Sequence, residues 1–206
     1  MIIASPPDFA APAAENPDKI ALALLTLSGA ERWSYAKLLA EIERLAQELR
    51  EVADANTPLP LAALETLETP IRLAAALKAG FTASITSEDG QDFAPKPPDL
   101  PLSPQDRVFL AGSLQDPLIL RAILAAWAAG ATLLCPSPKL APAQWPILLR
   151  RHDVSLIAGR SAQLESLLAA NLAPLPKLRA SFALDPAQEA LQNTWLARMG
   201  QGLGQA

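Results

Sequence analysis

The sequence predicts an α/β protein with a mainly parallel β-sheet flanked by helices. Two stretches of the chain, 61–86 and 107–135, each read as a strand, a helix and a second strand joined by short links. Such units pair their strands in parallel through right-handed crossovers. Half of the 206 residues are hydrophobic and 18% are charged, which supports a packed core and argues against intrinsic disorder in the body of the chain.

The first part of the chain is predicted to contain an arm, a hairpin and a long helix. Residues 1–17, rich in alanine and proline, are expected to form an irregular arm. The apolar run 20–28 and residues 31–35 are expected to pair as a β-hairpin across a glycine. Ser34 is expected to cap a helix whose apolar residues recur at helical spacing. These residues are Leu38, Leu39, Ile42, Leu45, Ala46, Leu49 and Val52.

The two strand–helix–strand units carry the same signals at their helix ends. Thr69 and Asp116 are the expected capping residues, and a proline follows each of them at the first helical position. Each helix is expected to stop just before a glycine, Gly80 or Gly130, because glycine readily adopts the left-handed conformation that closes a helix. Both units are therefore predicted to contain a helix flanked by two parallel strands.

The domain is expected to span residues 18–199 and to contain two similar αβ lobes. Segment 88–104 is crowded with aspartate, glycine and proline and is expected to be a loop that joins the lobes. Residues 200–206 are expected to form a frayed tail. Beyond the second unit, the sequence predicts helices at 142–151, 161–170 and 186–199 and strands at 154–158 and 178–184.

Three blocks of the sequence carry a resemblance to a known superfamily. The first contains Asn-Pro-Asp-Lys-Ile-Ala at 16–21 and Trp-Ser-Tyr-Ala-Lys-Leu at 33–38. The second, 61–80, closes with Ala-Ala-Leu-Lys-Ala-Gly, and the third spans 106–168. They resemble the N-terminal portion of adenylate-forming enzymes, which include acyl-CoA synthetases, luciferases and nonribosomal-peptide adenylation domains. The resemblance implies part of that fold, because each block is a packing pattern rather than a catalytic motif.

The motifs that perform the chemistry of this superfamily are not matched. Its glycine-rich TSGSTGxPKG loop offers bare N–H groups to the ATP phosphates. The nearest phrase here, at 86–91, contains Glu88 and Asp89, whose charges would repel a phosphate. A solvated turn is therefore the favoured interpretation. Ala-Leu-Asp at 183–185 replaces a Gly-Gly-Glu-like turn beside the adenine.

The later motifs of the superfamily have no counterpart in this sequence. They are the aromatic-Gly-x-Thr-Glu motif, the ribose-binding aspartate, the hinge and the C-terminal lysine domain. Autonomous adenylation would need all of its magnesium, ribose and leaving-group contacts from elsewhere. The expectation therefore leans towards a protein without enzyme activity, and no catalytic, cofactor-binding or metal-binding residue and no cofactor is assigned.

Four single residues of other chemical types are expected to have structural roles. Cys135, the only cysteine, lies in an apolar run and is expected to be a buried hydrophobic residue. His152, the only histidine, follows two arginines and is expected to cap the end of a helix. Ser161 lacks the glycine that a nucleophile elbow requires and is expected to be an N-cap. Trp127 belongs to a helix that is apolar almost all round, which indicates burial in the core or in an interface.

The function that follows is that of a non-catalytic adenylating-enzyme-like protein acting through protein–protein contact. Truncation is expected to leave apolar surface that a partner would cover: a second copy, a complete synthetase, or an acyl or peptidyl carrier protein. One alternative is a protein that binds an acyl or aryl group without activating it, which predicts an apolar pocket between the second and third blocks. Less favoured are an enzyme of another class and adenylation completed by a partner.

Charge and hydropathy exclude two classes of partner. The net charge of −4 comes without acidic or basic blocks, which argues against a nucleic-acid surface. No apolar run reaches the length of a membrane span and no basic leader precedes one. A cytoplasmic protein without membrane contact is expected.

Overall fold

A seven-stranded sheet with helices on both faces organises the chain. The computed structural model describes residues 2–3, 10–52, 59–61, 66–85 and 100–205. Its strands are β1 Ile2–Ile3, β2 Ile20–Leu25, β3 Ala30–Ser34, β4 Leu59–Leu61, β5 Ala83–Ile85, β6 Arg107–Ala111, β7 Thr132–Pro136, β8 Leu156–Gly159, β9 Ala180–Ala183 and β10 Leu203–Gln205. Its helices are α1 Ala10–Glu15, α2 Tyr35–Val52, α3 Glu68–Lys78, α4 Pro117–Ala128, α5 Trp145–Arg151, α6 Ser161–Ala169 and α7 Glu189–Met199, with a short 3-10 turn at Pro142–Gln144.

The strands of the large sheet run in the order β10-β9-β8-β6-β7-β2-β3. Every neighbouring pair is parallel except the β2–β3 hairpin, so the predicted mainly parallel α/β fold is confirmed. The two strand–helix–strand units both pair in parallel, as expected, but they lie in different sheets. The second forms β6 and β7 of the large sheet, whereas the first forms β4 and β5 of a separate three-stranded sheet with the order β1-β5-β4.

The helices form two layers, one on each face of the large sheet. Helices α2, α3 and α4 pack in one apolar core, and α5, α6 and α7 pack in the other. Successive residues of β6 alternate between these cores, with Val108 in the first and Phe109 in the second. Because both faces are covered, the central strands are apolar apart from Arg107 and Thr132, which begin β6 and β7. Trp127 is 0% exposed within the first core, so its apolar helix is buried in the protein itself.

The helix ends confirm the predicted caps at Asp116, Ser34 and His152 and correct the one at Thr69. Asp116 accepts the Leu118 N–H at 2.9 Å, and Ser34 accepts the Lys37 N–H at 3.3 Å. The predicted closing glycines have φ angles of +91° and +72°, and His152 caps the end of α5. Thr69 was expected to precede the helix, but α3 begins one residue earlier and Thr69 is buried in its first turn.

Both ends of the chain contain more regular structure than the sequence predicted. Helix α1 lies within the segment 1–17 that was expected to be irregular, since alanine is the strongest helix former and Ala13 gains a place in the core. Strand β10 lies in the expected tail 200–206, because Leu203 packs in the second core while its strand pairs with β9. Most of the predicted loop 88–104 lies outside the described residues. Within the described residues, no helix is both long and apolar enough to cross a bilayer.

Candidate functional site

The order of the strands creates one crevice where an α/β sheet ordinarily binds ligands. From β6 the chain passes through α4 to β7 on one side, and then returns through α5 to β8 on the other side of β6. The two crossover helices lie on opposite faces of the sheet. In doubly wound sheets, ligands bind outside the carboxyl ends of the strands at such a reversal. The switch-point crevice, which lies at the carboxyl ends of β6 and β8, is therefore the first candidate site.

Two glycines allow a close approach at this crevice. A Cβ atom on Gly159 would lie 2.5 Å from the carbonyl oxygen of Ala111 on the neighbouring strand. A Cβ atom on Gly112 would lie 2.6 Å from Cδ1 of Ile119 in α4. At Gly159 the obstacle is backbone, so this position needs glycine for packing, whereas at Gly112 the end of the Ile119 side chain can shift. Their presence at the strand ends does not require a ligand.

An ion pair bridges the crevice. Asp116, which begins α4, accepts a 2.9 Å hydrogen bond from Nη2 of Arg160, and Nε of Arg160 binds its second carboxylate oxygen. The Asp116 side chain is 12% exposed and that of Arg160 is 27% exposed. Because Asp116 also caps α4, both of its carboxylate oxygens are engaged by groups of the protein.

A second polar pair lies beside the first. Oδ1 of Asp185, which follows β9, accepts the backbone N–H of Ser161 at 2.7 Å and its hydroxyl at 2.9 Å. Ser161 was predicted to be an N-cap, but α6 begins at Ser161 itself, and Asp185 supplies the capping oxygen from a distant part of the chain. Asp185, the last residue of the Ala-Leu-Asp sequence at 183–185, thus caps a helix. The Ser161 hydroxyl and N–H both donate to the same Asp185 oxygen, as at the first turn of a capped helix.

The only histidine lies at the other end of the strands, beside the amino end of β6. The carbonyl of His152 accepts a 2.7 Å hydrogen bond from Nε of Arg107, the first residue of β6. Burial and the charges of Arg107, Arg32 and Arg151 lower the pKa of His152. No serine–histidine catalytic pair forms with Ser161, which follows the carboxyl end of β8.

Asp106 forms the most extensive polar network among the described residues, and sequence reasoning did not detect it. The side chain is 3% exposed and accepts bonds from the Ser103 N–H and hydroxyl, from the Ser155 hydroxyl and from two guanidinium nitrogens of Arg179. Burial alone would raise its pKa, but these donors outweigh burial and hold the pKa well below its usual range. The network joins the amino ends of β6, β8 and β9. It is complete without a ligand, so its role is structural.

Described residues line two cavities at opposite ends of the strands. One, of about 870 Å³, lies at the amino ends of β2, β6 and β7, beside α1. The Lys19 ammonium in its wall donates to the carbonyl of Gly130 at 2.7 Å and to that of Pro104. Burial lowers the pKa of Lys19, although the charge of Asp106 opposes this. The Lys19 ammonium therefore binds the backbone that follows α4 and has a structural role.

The other cavity, of about 700 Å³, lies at the carboxyl ends of β2 and β7 between α2 and α3. On one side of this cavity lies α3, which belongs to the second sequence block, and on the other side lie residues 137–139 of the third block. The ligand-binding alternative expected an apolar pocket at this place. Its wall combines apolar and charged side chains. Its lining residues are Leu24, Thr26, Glu31, Trp33, Glu41, Arg44, Leu45, Thr66, Leu67, Glu68, Ile71, Arg72, Ser137, Pro138 and Lys139.

The described residues contain no group of three or more histidine, cysteine, aspartate or glutamate side chains able to hold a metal ion. Cys135 is fully buried, as predicted, and burial raises the pKa of its thiol to about 12. A thiol with that pKa is not a nucleophile near neutral pH.

No family model and no curated protein matches the sequence. Among solved structures, o-succinylbenzoate CoA synthetase (MenE) from Bacillus subtilis matches 97% of this chain with a TM-score of 0.72 and 14% identity. VinN in complex with L-aspartate matches 96% with a TM-score of 0.71 and 11% identity. The AMPPNP-bound nonribosomal peptide synthetase FmoA3 matches 92% with a TM-score of 0.69 and 16% identity.

The chain spans only part of these proteins. It covers 58% of the MenE chain, 73% of VinN and 29% of FmoA3. At 11–16% identity the likeness concerns the fold, and it agrees with the portion that the sequence blocks indicated. The described chain therefore has the α/β fold of part of the adenylate-forming enzymes.

Proposed function

We propose that this protein is a non-catalytic, adenylating-enzyme-like protein that acts by binding a protein partner. The observation that carries the first part is the Asp116–Arg160 ion pair across the switch-point crevice. A nucleotide bound there would have to separate a largely buried ion pair, which leaves a buried charge uncompensated. The neighbouring Ser161 and Asp185 are also bonded to each other. The polar groups at this edge are thus engaged within the fold.

The free edges of the large sheet support the second part. Among the described residues, β3 and β10 each have a strand on one side only. Strand β3 carries Glu31 and Arg32, and exposed charges on an edge discourage pairing with another chain. Strand β10 carries no charged residue, so it is the edge proposed to receive the partner. The candidates are a second copy of this chain, a synthetase, and an acyl or peptidyl carrier protein.

Few large apolar side chains of the described residues are exposed, so the proposal does not rest on a broad apolar interface. The exposed large apolar side chains of the described residues are Leu27, Val52, Ile147 and Leu196, which are 41–81% exposed and lie on different elements. They are spread over the loop after β2 and helices α2, α5 and α7 and are not gathered on one element. Pairing along the backbone of β10 is therefore the proposed mode of contact.

Calorimetric titration with ATP and magnesium tests the non-catalytic part. The wild-type protein should give no saturable heat, and saturable ATP binding would overturn the proposal.

Light scattering over a range of protein concentrations, alone and with a candidate synthetase or carrier protein, tests the partner. Gln205→Lys places a charge on the β10 edge and should weaken association, whereas the control Asn193→Lys places the same charge on α7. Equal association of both variants would exclude the β10 edge.

One observation favours a second candidate function, the binding of an acyl or aryl group without activation. The cavity between α3 and the end of β7 has the volume of a small-molecule site. It is separate from the switch-point crevice, so occupation would not disturb the Asp116–Arg160 ion pair. Direct titration with a small acyl compound tests this function.

A further inference from the structure

The cavity at the carboxyl ends of β2 and β7 has an apolar side that suits the body of a small ligand. Leu24 from β2, Trp33 from β3, Leu45 from α2 and Ile71 from α3 line this side. The volume of about 700 Å³ falls within the range of about 300–1,000 Å³ that is usual for ligand cavities. Four different elements hold these side chains, so the wall is preformed.

Most of the charges around the cavity are paired with one another. Arg44 binds Glu41 at 2.6 Å, and Arg72 binds Glu68 at 3.4 Å. Paired charges contribute little net field to the cavity. The preference for ligand charge is therefore set by the groups that remain.

Those remaining groups favour an anion at the β7 end of the cavity. Within the described residues, the Lys139 ammonium makes no ion pair or hydrogen bond. Ser137 is 9% exposed, and its hydroxyl accepts the Lys139 N–H at 3.4 Å, which leaves the hydroxyl hydrogen to donate. Glu31, the remaining carboxylate, keeps its charge while it accepts a 2.9 Å hydrogen bond from the Trp33 indole, but it lies on β3, two strands away from β7.

The amino end of α3 adds a partial positive charge on the same cavity. Leu67 is its N-cap residue and supplies no side-chain oxygen to the first N–H groups. The helix dipole favours negative charge nearby, although the Thr69 N–H already donates to the Thr66 carbonyl at 3.3 Å and Pro70 has no N–H. The ammonium, the hydroxyl and the helix end come from two distant segments of the chain that meet only in the folded protein.

We propose that this cavity binds a small apolar molecule with one anionic end, its apolar body against Leu45 and Ile71 and its anionic group beside Ser137 and Lys139. This inference rests on the second candidate function and adds to it the location and the charge of the ligand. The site lies apart from the switch-point crevice.

Calorimetry with hexanoate, hexanesulfonate and the uncharged 1-hexanol tests the proposal. Both anions should bind more tightly than 1-hexanol, by about threefold to fivefold for an exposed lysine. Lys139→Met should abolish this preference, whereas Lys177→Met, a lysine outside the cavity, should leave it unchanged. Leu45→Trp and Thr66→Trp should each weaken binding of every probe at least about tenfold by filling the cavity; Thr66 is exposed, so that variant should remain folded.

Three other outcomes would each refute a different part of the proposal. If 1-hexanol binds as tightly as hexanoate and Lys139→Met has no effect, the anionic end is wrong and acyl binding survives. If hexanoate binds but both tryptophan variants leave its affinity unchanged, the location is wrong. If no probe binds, the ligand site and the second candidate function both fail.

Discussion

Replacing Asp106 with asparagine should remove the largest polar contribution to the stability of the sheet. The carboxylate is 3% exposed and accepts hydrogen bonds of 2.7 and 2.8 Å from Ser103, 2.8 Å from Ser155 and 2.8 Å from Nε of Arg179. An asparagine NH₂ group cannot accept any of these bonds and would face donors. The change preserves the shape of the side chain, so its effect isolates the charge and the accepting oxygen.

The expected loss can be estimated from the exposure of the partners. Breaking a fully buried ion pair costs about 3–5 kcal/mol. Arg179 is 42% exposed and can return to solvent, so we expect a loss of about 2–3 kcal/mol in the free energy of unfolding. Urea denaturation at neutral pH, followed by circular dichroism, measures this difference. Asp153→Asn is the matched control, because Asp153 and its partner Lys177 are 62% and 64% exposed, and it should hardly move the midpoint.

The dependence on pH gives a second check. The pKa of Asp106 in the folded state lies below its unfolded value of about 4. Its contribution is therefore fully present above that unfolded value and is lost as the pH falls towards the folded value. The wild-type protein and Asp106→Asn should converge in stability as the medium becomes more acidic. Equal stability at neutral pH, or a difference that grows on acidification, would refute this account of the network.

Three further predictions concern buried groups. Gly159→Ala should lower the unfolding free energy by about 1–3 kcal/mol in urea denaturation, because its Cβ would lie 2.5 Å from the Ala111 carbonyl oxygen; an unchanged midpoint would contradict the close approach. Cys135, whose thiol pKa is raised to about 12 by burial, should react with a thiol reagent at pH 8 only after urea is added, and rapid reaction of the native protein would show that it is accessible. Tyr35 donates to the Ala131 carbonyl at 2.7 Å, so Tyr35→Phe should cost about 1 kcal/mol, and thermal melting indistinguishable from wild type would mean that this bond contributes nothing.

Local signals predicted the helices well because they act over a few residues. Asp116 caps α4 through an N–H two positions away, and the glycine after each unit closes its helix through its own φ angle. The prediction was wrong where the deciding contact comes from elsewhere. Ser161 has the chemistry of a cap, but the oxygen of Asp185, 24 residues away, takes that role, and the tail becomes β10 because β9 is beside it.

The amino-acid sequence by itself determined the α/β class, the parallel pairing within each unit and the absence of a glycine-rich phosphate loop from the matched blocks. These properties follow from the period of apolar residues, from caps and from turn residues, all of which are local. Only the tertiary structure decided that the two units belong to different sheets. It alone brought together Asp106 with Arg179, 73 residues apart, and Asp116 with Arg160, 44 residues apart. The order of strands sets which distant side chains meet, and no local pattern encodes that order.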